Sequence, residues 1–404
     1  MKNEEKYITG KPLAWLLTLL YFVSYMTRIN FAAIIQEIVT ATGFSKSSLS
    51  VVLVCLSMTY GLGQIVNGRI GDRVKPQNLI LCGLMCTTVI NFIFSLFSFS
   101  TVWMAILWAI NGFAQAMMWP PIVKILVANT DDATYGYSVV RVSWGSSFGT
   151  IVVYLLAPVI ITLVGWKGVF LMSALGGLAV TVVWWILKSR VQCNEDAASA
   201  RTVGTKKLQF PKMAVFPMVF IVLAIIFQGM LRDGVTSWMP TYLAEVFEFG
   251  NQTSIFCTVS LAVFSIITFS VVGNLYKRFF RNEVTCAAAV YIVSTVAAGL
   301  MYLFFDGGAL FAILMMALIT GCMHGINLML ITHVPKRFKK YGNISTISGA
   351  INACTYIGAA ISTYGISVLS ETVGWQNTVG VWCLISLVGG ACCFVAFKPW
   401  RKML

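Results

Sequence analysis

Apolar residues follow one another along this chain in long unbroken runs instead of alternating with polar ones. A helix needs about 20 consecutive apolar residues to span a bilayer, and twelve runs approach or exceed that length. They lie at roughly 12–38, 47–67, 78–98, 100–124, 137–163, 166–187, 213–244, 252–274, 284–304, 307–334, 344–369 and 376–397. Transmembrane β-strands are only ~10 residues long and alternate in polarity, so the pattern disfavours a β-barrel. It predicts an all-α membrane protein with twelve transmembrane helices.

The composition agrees with this class. Of the 404 residues, 58% are hydrophobic and only 10% are charged, whereas a soluble domain needs a polar exterior. The cysteines lie mostly inside the apolar runs, as Cys55 and Cys257 do, which is typical of small buried hydrophobic residues. Their spacing matches no disulfide framework or metal site. We expect neither a metal nor a cofactor.

The net charge of +14 is explained by where the basic residues lie. They gather in alternate connections, in segments 69–75, 188–212, 277–281 and 335–340. The connections between these segments carry mostly acidic residues or none. Because cytoplasmic loops are enriched in Lys and Arg, the pattern predicts a plasma (inner) membrane protein with both termini in the cytoplasm. Binding to nucleic acid is not needed to explain the charge.

The chain repeats one six-helix unit. Three landmarks recur at similar offsets: Arg28 and Arg232 are 204 residues apart, Gly68 and Gly273 are 205 apart, and the Gly-Trp pairs at 165 and 374 are 209 apart. The longest polar interval separates the two copies. We expect an N-terminal bundle (1–187), a cytoplasmic linker (188–212) and a C-terminal bundle (213–404), an arrangement in which transporters bind substrate at the midplane.

Two arginines interrupt the apolar runs at equivalent places. Arg28 lies near the middle of the first span and Arg232 near the middle of the seventh. An arginine at the bilayer centre costs from ~3 to over ~10 kcal/mol, which suggests a function. In a pseudo-symmetric bundle both guanidiniums would meet in one cavity, where each can bind phosphate or carboxylate through two hydrogen bonds. The alternative is that each arginine is structural and paired with a nearby carbonyl or acid. Asp233 is a candidate partner for Arg232, although adjacent helical residues point about 100° apart.

Other polar residues at membrane depth are candidates for the same cavity. Tyr21 and Tyr25 share a helix face with Arg28, and Asn352 shares a face of the eleventh span with Tyr356. Further candidates are Gln64, His324, Asn327 and Asp233. Arg141, only four residues into its run, is either a substrate contact or a residue that reaches the cytoplasmic surface.

These motifs resemble the organophosphate:phosphate antiporter family of the major facilitator superfamily, which includes bacterial glycerol-3-phosphate and hexose-6-phosphate transporters. The resemblance covers most of the chain. Its motifs are Y-x3-Y-x2-R-x-N-F-A (Tyr21 to Ala32), GFS (43–45), YG (60–61), G-x3-D-R (Gly68 to Arg73), Q-x3-W-P-P (Gln115 to Pro121) and L-R-x-G-V-x2-W-x-P-T-Y-L (Leu231 to Leu243). The two arginine motifs are the most discriminating, since G-x3-D-R is generic to the superfamily.

The resemblance implies exchange of an organic phosphate for inorganic phosphate by alternating access. The family's phosphate-binding arginines fall on Arg28 and Arg232, and its site tyrosines fall on Tyr21, Tyr25 and Tyr356. Gly68, Asp72 and Arg73 would help to latch the cytoplasmic side. Three positions depart from the family: a lysine is replaced by Gln64, a histidine falls on Trp144 and an asparagine falls on Arg141. Because the charges differ, the preferred anion can differ too.

Three alternatives remain open at this point. The first is a transporter of another organic anion, such as a sugar acid or carboxylate, coupled to protons or sodium. The second is a membrane hydrolase, because residues 145–149 match G-x-S-x-G, but they lie in an apolar run where helix packing is the better interpretation. The third is a nutrient sensor with a transporter fold. We expect a monomeric, non-enzymatic transporter whose partners are the lipid bilayer and a small anionic substrate.

Overall fold

The computed structural model describes residues 7–97, 100–130, 132–191, 212–280, 282–334, 337 and 344–403. Regular secondary structure in these residues is entirely helical. Twelve helical segments are long and apolar enough to cross a membrane. The predicted all-α class with twelve spans is therefore confirmed.

The helices that form the spans follow the apolar runs closely. In order they are Gly10–Ala33 (span 1), Lys46–Arg73 (span 2), Pro76–Leu96 (span 3), Thr101–Gln115 with Trp119–Asn129 (span 4), Asp132–Val164 (span 5), Lys167–Leu187 (span 6), Lys212–Val246 (span 7), Asn251–Cys257 with Val259–Arg278 (span 8), Glu283–Leu303 (span 9), Ala309–Asn327 with the π-helical turn Leu328–His333 (span 10), Ile344–Thr372 (span 11) and Gly374–Met403 (span 12). A short helix, Ile35–Thr42, follows span 1, and a 3₁₀ turn, Lys188–Arg190, follows span 6.

Three of the predicted runs are interrupted, the eighth only by a turn at Thr258 between its two helices. The first run extends to about residue 38, but its helix ends at Ala33 because Ile34 leaves helical geometry with φ −114° and ψ 15°. The fourth run breaks between Gln115 and Trp119. Pro120 and Pro121 open the second piece, where proline needs no helical N–H partner. The break in the fourth run lies beside the candidate residue Tyr21, because the ring of Trp119 packs on it.

Spans 1 and 5 pack backbone against backbone. A Cβ at Gly145 would lie 2.5 Å from the Thr18 carbonyl oxygen, so only glycine fits there. Spans 7 and 11 make the same kind of contact, because a Cβ at Gly229 would overlap the Thr355 carbonyl oxygen. The contacting residues are 127 apart in the first pair (145 − 18) and 126 apart in the second (355 − 229). The repeat in the sequence is therefore matched by a repeat in packing, while the bundle boundaries at 187 and 213 stay a prediction.

A buried polar network holds span 1 in place. Its members are Ser24, Thr27 and Asn30 on span 1, Thr87 and Asn91 on span 3, Asn111 and Gln115 on span 4, and Ser173 on span 6. Asn30 Nδ2 donates to Asn91 Oδ1 at 2.6 Å, and Asn91 Nδ2 donates to the Thr27 carbonyl at 3.0 Å. Buried polar groups need such partners within a bilayer. The network occupies one face of span 1, so Arg28 is turned toward another.

Removing one member of this network should lower stability. Asn91→Ala deletes the bonds to Asn30 and to the Thr27 carbonyl, each worth up to ~1–2 kcal/mol within a membrane. We expect a lower thermal unfolding midpoint for the purified protein in detergent, measured by tryptophan fluorescence. The control is Asn377→Ala, which removes only a bond to the carbonyl of Val373 at an exposed site. Equal midpoints in the two variants would contradict a stabilising network.

Candidate anion-binding site

Three tyrosine rings surround the Arg28 guanidinium. Its central carbon lies 4.4 Å from the ring centroid of Tyr60, 5.2 Å from that of Tyr356 and 5.3 Å from that of Tyr25. A desolvated cation–π contact is worth ~2 kcal/mol. Three such contacts together are comparable with ~3 kcal/mol, the lower value for the cost of placing an arginine at the bilayer centre. Within the described residues Arg28 has no hydrogen bond or ion pair. Its charge is thus stabilised by the rings without being neutralised.

Arg232 is held differently, by the residue next to it. Its Nε donates to Asp233 Oδ1 at 2.6 Å and its Nη2 donates to Asp233 Oδ2 at 2.8 Å. The Arg232 side chain is 10% exposed and that of Asp233 is 25% exposed. The long arginine side chain bends to reach its neighbour, so the angle of about 100° between adjacent residues does not prevent this pairing. The pairing of Arg232 with Asp233, which the sequence offered as an alternative to substrate binding, is therefore present in the structure. The Nη1 group of Arg232 remains available to other partners.

The two arginines meet at one aromatic ring. The central guanidinium carbon of Arg232 lies 5.7 Å from the Tyr356 centroid, which is also 5.2 Å from that of Arg28. Tyr356 in turn packs on Tyr60 with centroids 4.3 Å apart, and both tyrosines are buried. Cations from spans 1 and 7 therefore converge beside a ring from span 11. We call Arg28, Arg232, Asp233, Tyr60 and Tyr356 the arginine cluster.

The other two candidate tyrosines extend from this cluster along span 1. Tyr25 contacts Arg28 directly and packs edge-on against Tyr21 with centroids 5.1 Å apart. Tyr21 lies one turn further away and packs on Trp119, 5.0 Å between centroids. Only Tyr25 of the pair therefore touches a guanidinium in this structure.

Gln64 and Asn352 lie one helical turn from the cluster tyrosines. Gln64 is four residues after Tyr60 on span 2, and Asn352 is four residues before Tyr356 on span 11. Gln64 is 3% exposed, and its Nε2 has no hydrogen-bond partner among the described residues. Because a buried amide normally has a partner, this donor is available to a bound molecule. Asn352 is half-buried.

The sequence analysis did not include Tyr60 and Trp119 among the site residues. Tyr60 makes the closest ring contact to Arg28, and Trp119 supports Tyr21. Each belongs to a motif of the resemblance, YG and Q-x3-W-P-P respectively. These motifs were the signal that could have identified Tyr60 and Trp119 as site residues. Without them, an aromatic residue in an apolar run cannot be distinguished from one that only packs between helices.

Arg141 and Trp144 lie apart from the arginine cluster. The guanidinium of Arg141 lies over the rings of Trp144 at 4.4 Å and Trp15 at 5.4 Å. Trp15 precedes Arg28 by 13 positions (28 − 15) on the same helix, a distance of about 20 Å along its axis. Arg141 and Trp144 therefore lie near the end of the bundle where span 1 begins. Gly68, Asp72 and Arg73 are within the helix of span 2, but their side chains lie outside the described residues.

An ion pair joins spans 2 and 7 at the far end of the bundle, opposite the end where span 1 begins and span 12 ends. Lys46 Nζ on span 2 lies 3.0 Å from Glu245 Oε2 on span 7. Trp375 Nε1 of span 12 donates to the same carboxylate at 2.9 Å. Nearby, Ser367 Oγ donates to Ser50 Oγ at 3.2 Å and both residues are buried. We call the Lys46–Glu245 pair with Trp375 the far-end latch.

A twelve-span helical bundle with cations clustered in its interior is typical of a membrane transporter. Comparison with known families agrees, because the Major Facilitator Superfamily model matches residues 17–363. The chain belongs to the Major Facilitator Superfamily, as its sequence motifs suggested.

Two relatives give the resemblance more detail. The chain is 25% identical to the glycerol-3-phosphate transporter of Bacillus subtilis (strain 168), over 69% of this chain and 67% of that protein. It is 23% identical to the probable hexose phosphate transport protein of Chlamydia trachomatis, over 88% of this chain and 84% of that protein. Identity is low, but it extends over most of both proteins.

Solved structures establish the fold. The bacterial homolog of the human lysosomal transporter Spinster superposes with a TM-score of 0.76 at 13% identity, covering 97% of each chain. At that identity the similarity concerns the arrangement of helices alone. The predicted major facilitator fold is confirmed.

Weakening the far-end latch should open that end of the bundle. Glu245→Gln removes the charge facing Lys46. A part-buried ion pair is worth ~1 kcal/mol, so its loss should shift the equilibrium between the closed and open forms of this end about fivefold. We expect a cysteine at Ser367, in a chain whose own cysteines are replaced, to react about fivefold faster with a charged thiol reagent. Asp306→Asn, an exposed change, is the control. An unchanged rate in Glu245→Gln would show that the pair does not hold this end closed.

Proposed function

We propose that this protein is a secondary active transporter that exchanges an organic phosphate ester for inorganic phosphate by alternating access, with the anion bound between Arg28 and Arg232. The observation that carries the proposal is the convergence of both guanidiniums on the Tyr356 ring, at 5.2 and 5.7 Å from its centroid. The names of the two relatives, a glycerol-3-phosphate transporter and a probable hexose phosphate transport protein, support a phosphorylated substrate.

The donors around the cluster suit a phosphate group. Arg28 keeps its five N–H donors, and Arg232 keeps Nη1 beyond its bonds to Asp233. Two neutral donors lie nearby: the hydroxyl of Tyr25, whose ring contacts Arg28, and the unpartnered amide of Gln64, one helical turn from Tyr60. A phosphate has enough oxygen atoms to accept from both halves at once, whereas a carboxylate has only two. Tyr21, Asn352 and Tyr356 complete the proposed binding set.

The transport step follows from the position of the site between the halves. An anion bridging Arg28 and Arg232 draws spans 1 and 7 together, and the halves then rock about the site. Rocking toward the far end breaks the Lys46–Glu245 pair, which joins spans 2 and 7. We propose that residues 1–187 and 213–404 are the moving bundles, with 188–212 as their linker.

The remaining parts of the proposal concern the cell membrane. We place the protein as a monomer in the plasma membrane with both termini in the cytoplasm, because basic residues gather in the connections on that side. Gly68, Asp72 and Arg73 then belong to the cytoplasmic end of span 2, where they would latch that side. Arg141 and Trp144 would line the cytoplasmic entrance, since they lie about 20 Å from Arg28 along the bundle axis.

A second candidate is favoured by Asp233. Its carboxylate offsets one of the two guanidinium charges, so the cluster also suits a monoanion such as a sugar acid, coupled to protons or sodium.

Thermal stabilisation of the purified protein by phosphorylated and carboxylated metabolites distinguishes the phosphate and monoanion candidates. A ligand at 100 times its Kd adds ~2.7 kcal/mol to the folded state. Stabilisation by phosphate esters and phosphate but not by carboxylates is the expected result, and the reverse would favour the monoanion.

Removing the Arg28 guanidinium group should abolish phosphate exchange. We expect Arg28→Ala in proteoliposomes to lower uptake of labelled phosphate against internal phosphate about 100-fold, since truncating one member of a buried charge pair costs 2–5 kcal/mol or more. Arg28→Lys should remain severely impaired, because an ammonium cannot form the two parallel bonds.

The matched control is Arg278→Lys at an exposed position at the end of span 8, which should exchange phosphate normally. Tryptophan fluorescence melting should give equal midpoints for all variants. Normal exchange by Arg28→Ala would rule out the assigned site. Binding without transport in the unmodified protein would indicate a sensor instead.

A further inference from the structure

The arginine cluster contains its own anion. Asp233 engages Arg232 through two hydrogen bonds, Nε to Oδ1 at 2.6 Å and Nη2 to Oδ2 at 2.8 Å. This is the fork-to-fork geometry that a substrate carboxylate or phosphate would use. A carboxylate of the chain therefore occupies one edge of a guanidinium that the proposed substrate also needs.

The two arginines differ in this respect, although they occupy equivalent positions in the repeat. Arg28 has no acidic partner among the described residues and is held by tyrosine rings. Asp233 also lies within electrostatic range of Arg28 and of His324 on span 10. Its charge thus acts on the whole cluster and not only on Arg232. Counting these arginines and this aspartate, the formal charge is +1 instead of +2.

This difference bears on the empty transporter. Two unpaired guanidiniums in a low-dielectric interior repel each other and favour exposure to water, so a site without counter-ions would resist closing until an anion bound. Asp233 removes part of that repulsion when no substrate is present. It also repels an incoming anion and competes for Arg232, so it should weaken binding.

We infer that Asp233 is a resident counter-anion that lets the empty transporter change orientation, so that the protein carries out net anion movement as well as exchange. The inference rests on the proposed function and adds to it a second transport mode and the residue that permits it. In such a cycle the carboxylate stabilises Arg232 on the return step, and substrate takes over that stabilisation on the loaded step.

The experiment compares two fluxes in the same proteoliposomes. Vesicles loaded with labelled inorganic phosphate are diluted either into phosphate, which reports exchange, or into phosphate-free buffer with an impermeant anion, which reports net efflux. Valinomycin and equal potassium on both sides hold the membrane potential near zero. The wild type should show protein-dependent net efflux.

Asp233→Asn keeps the shape of the side chain and removes its charge. We expect its ratio of net efflux to exchange to fall about tenfold. Its half-saturating phosphate concentration should also fall about tenfold, because a charged group that competes with phosphate for hydrogen bonds to Arg232 is lost. Asp233→Glu retains the charge and should keep measurable net efflux. Asp306→Asn, an exposed aspartate change, should behave as wild type in both assays.

The outcomes are distinguishable. Exchange by the wild type without net efflux would overturn the inference while leaving the proposed function intact, and this holds even if Asp233→Asn fails to fold. An unchanged flux ratio and half-saturation in Asp233→Asn would also overturn it. Loss of exchange in a folded Asp233→Asn would instead make Asp233 a positioning residue for Arg232. Absence of any phosphate exchange in the wild type would contradict the proposed function itself.

Discussion

Two guanidinium groups held inside a membrane-spanning bundle set the conditions that the rest of this structure meets. Each would cost at least ~3 kcal/mol at the bilayer centre if left alone. The structure compensates with tyrosine rings around Arg28 and a carboxylate against Arg232. The polar network behind span 1 has a related role, because it fixes the face on which Arg28 lies. Interior polar groups in this protein thus support a charged site instead of merely packing the bundle.

The repeat in the sequence does not produce equal environments. Arg28 and Arg232 are equivalent by spacing, yet one is caged by rings and the other is ion-paired. A cation over a ring retains its attraction for an anion, whereas one paired with a carboxylate has part of that attraction satisfied. Under the proposed function, an anion entering the cluster would therefore be drawn more strongly to Arg28. This asymmetry arises because the residue that follows each arginine differs: Ile29 in span 1 and Asp233 in span 7.

Much of the fold was predictable because membrane spans are set by run length, a property of the sequence itself. Convergence of Arg28 and Arg232 was also predictable, since repeat symmetry relates them. The Arg232–Asp233 bonds were harder to predict, because helical periodicity gives the direction of Cβ and not the path of a long flexible side chain. Tyr60 was missed for another reason: burial of an aromatic residue in an apolar run is expected whether or not a cation lies beside it. The break at Ile34 has no sequence signal such as proline or glycine.

The site and the far-end latch lie on the same helix, and this connects binding to movement. Asp233 and Glu245 are 12 residues apart (245 − 233) on span 7, about 18 Å along its axis. A shift of span 7 that closes the arginines around an anion must also move Glu245 relative to Lys46. The latch is a single part-buried pair worth ~1 kcal/mol, while a charge-assisted hydrogen bond contributes ~1.5–3 kcal/mol. In the proposed cycle, the contacts of one bound anion would therefore be large enough to break the latch, and the latch would be weak enough not to trap the protein in one orientation.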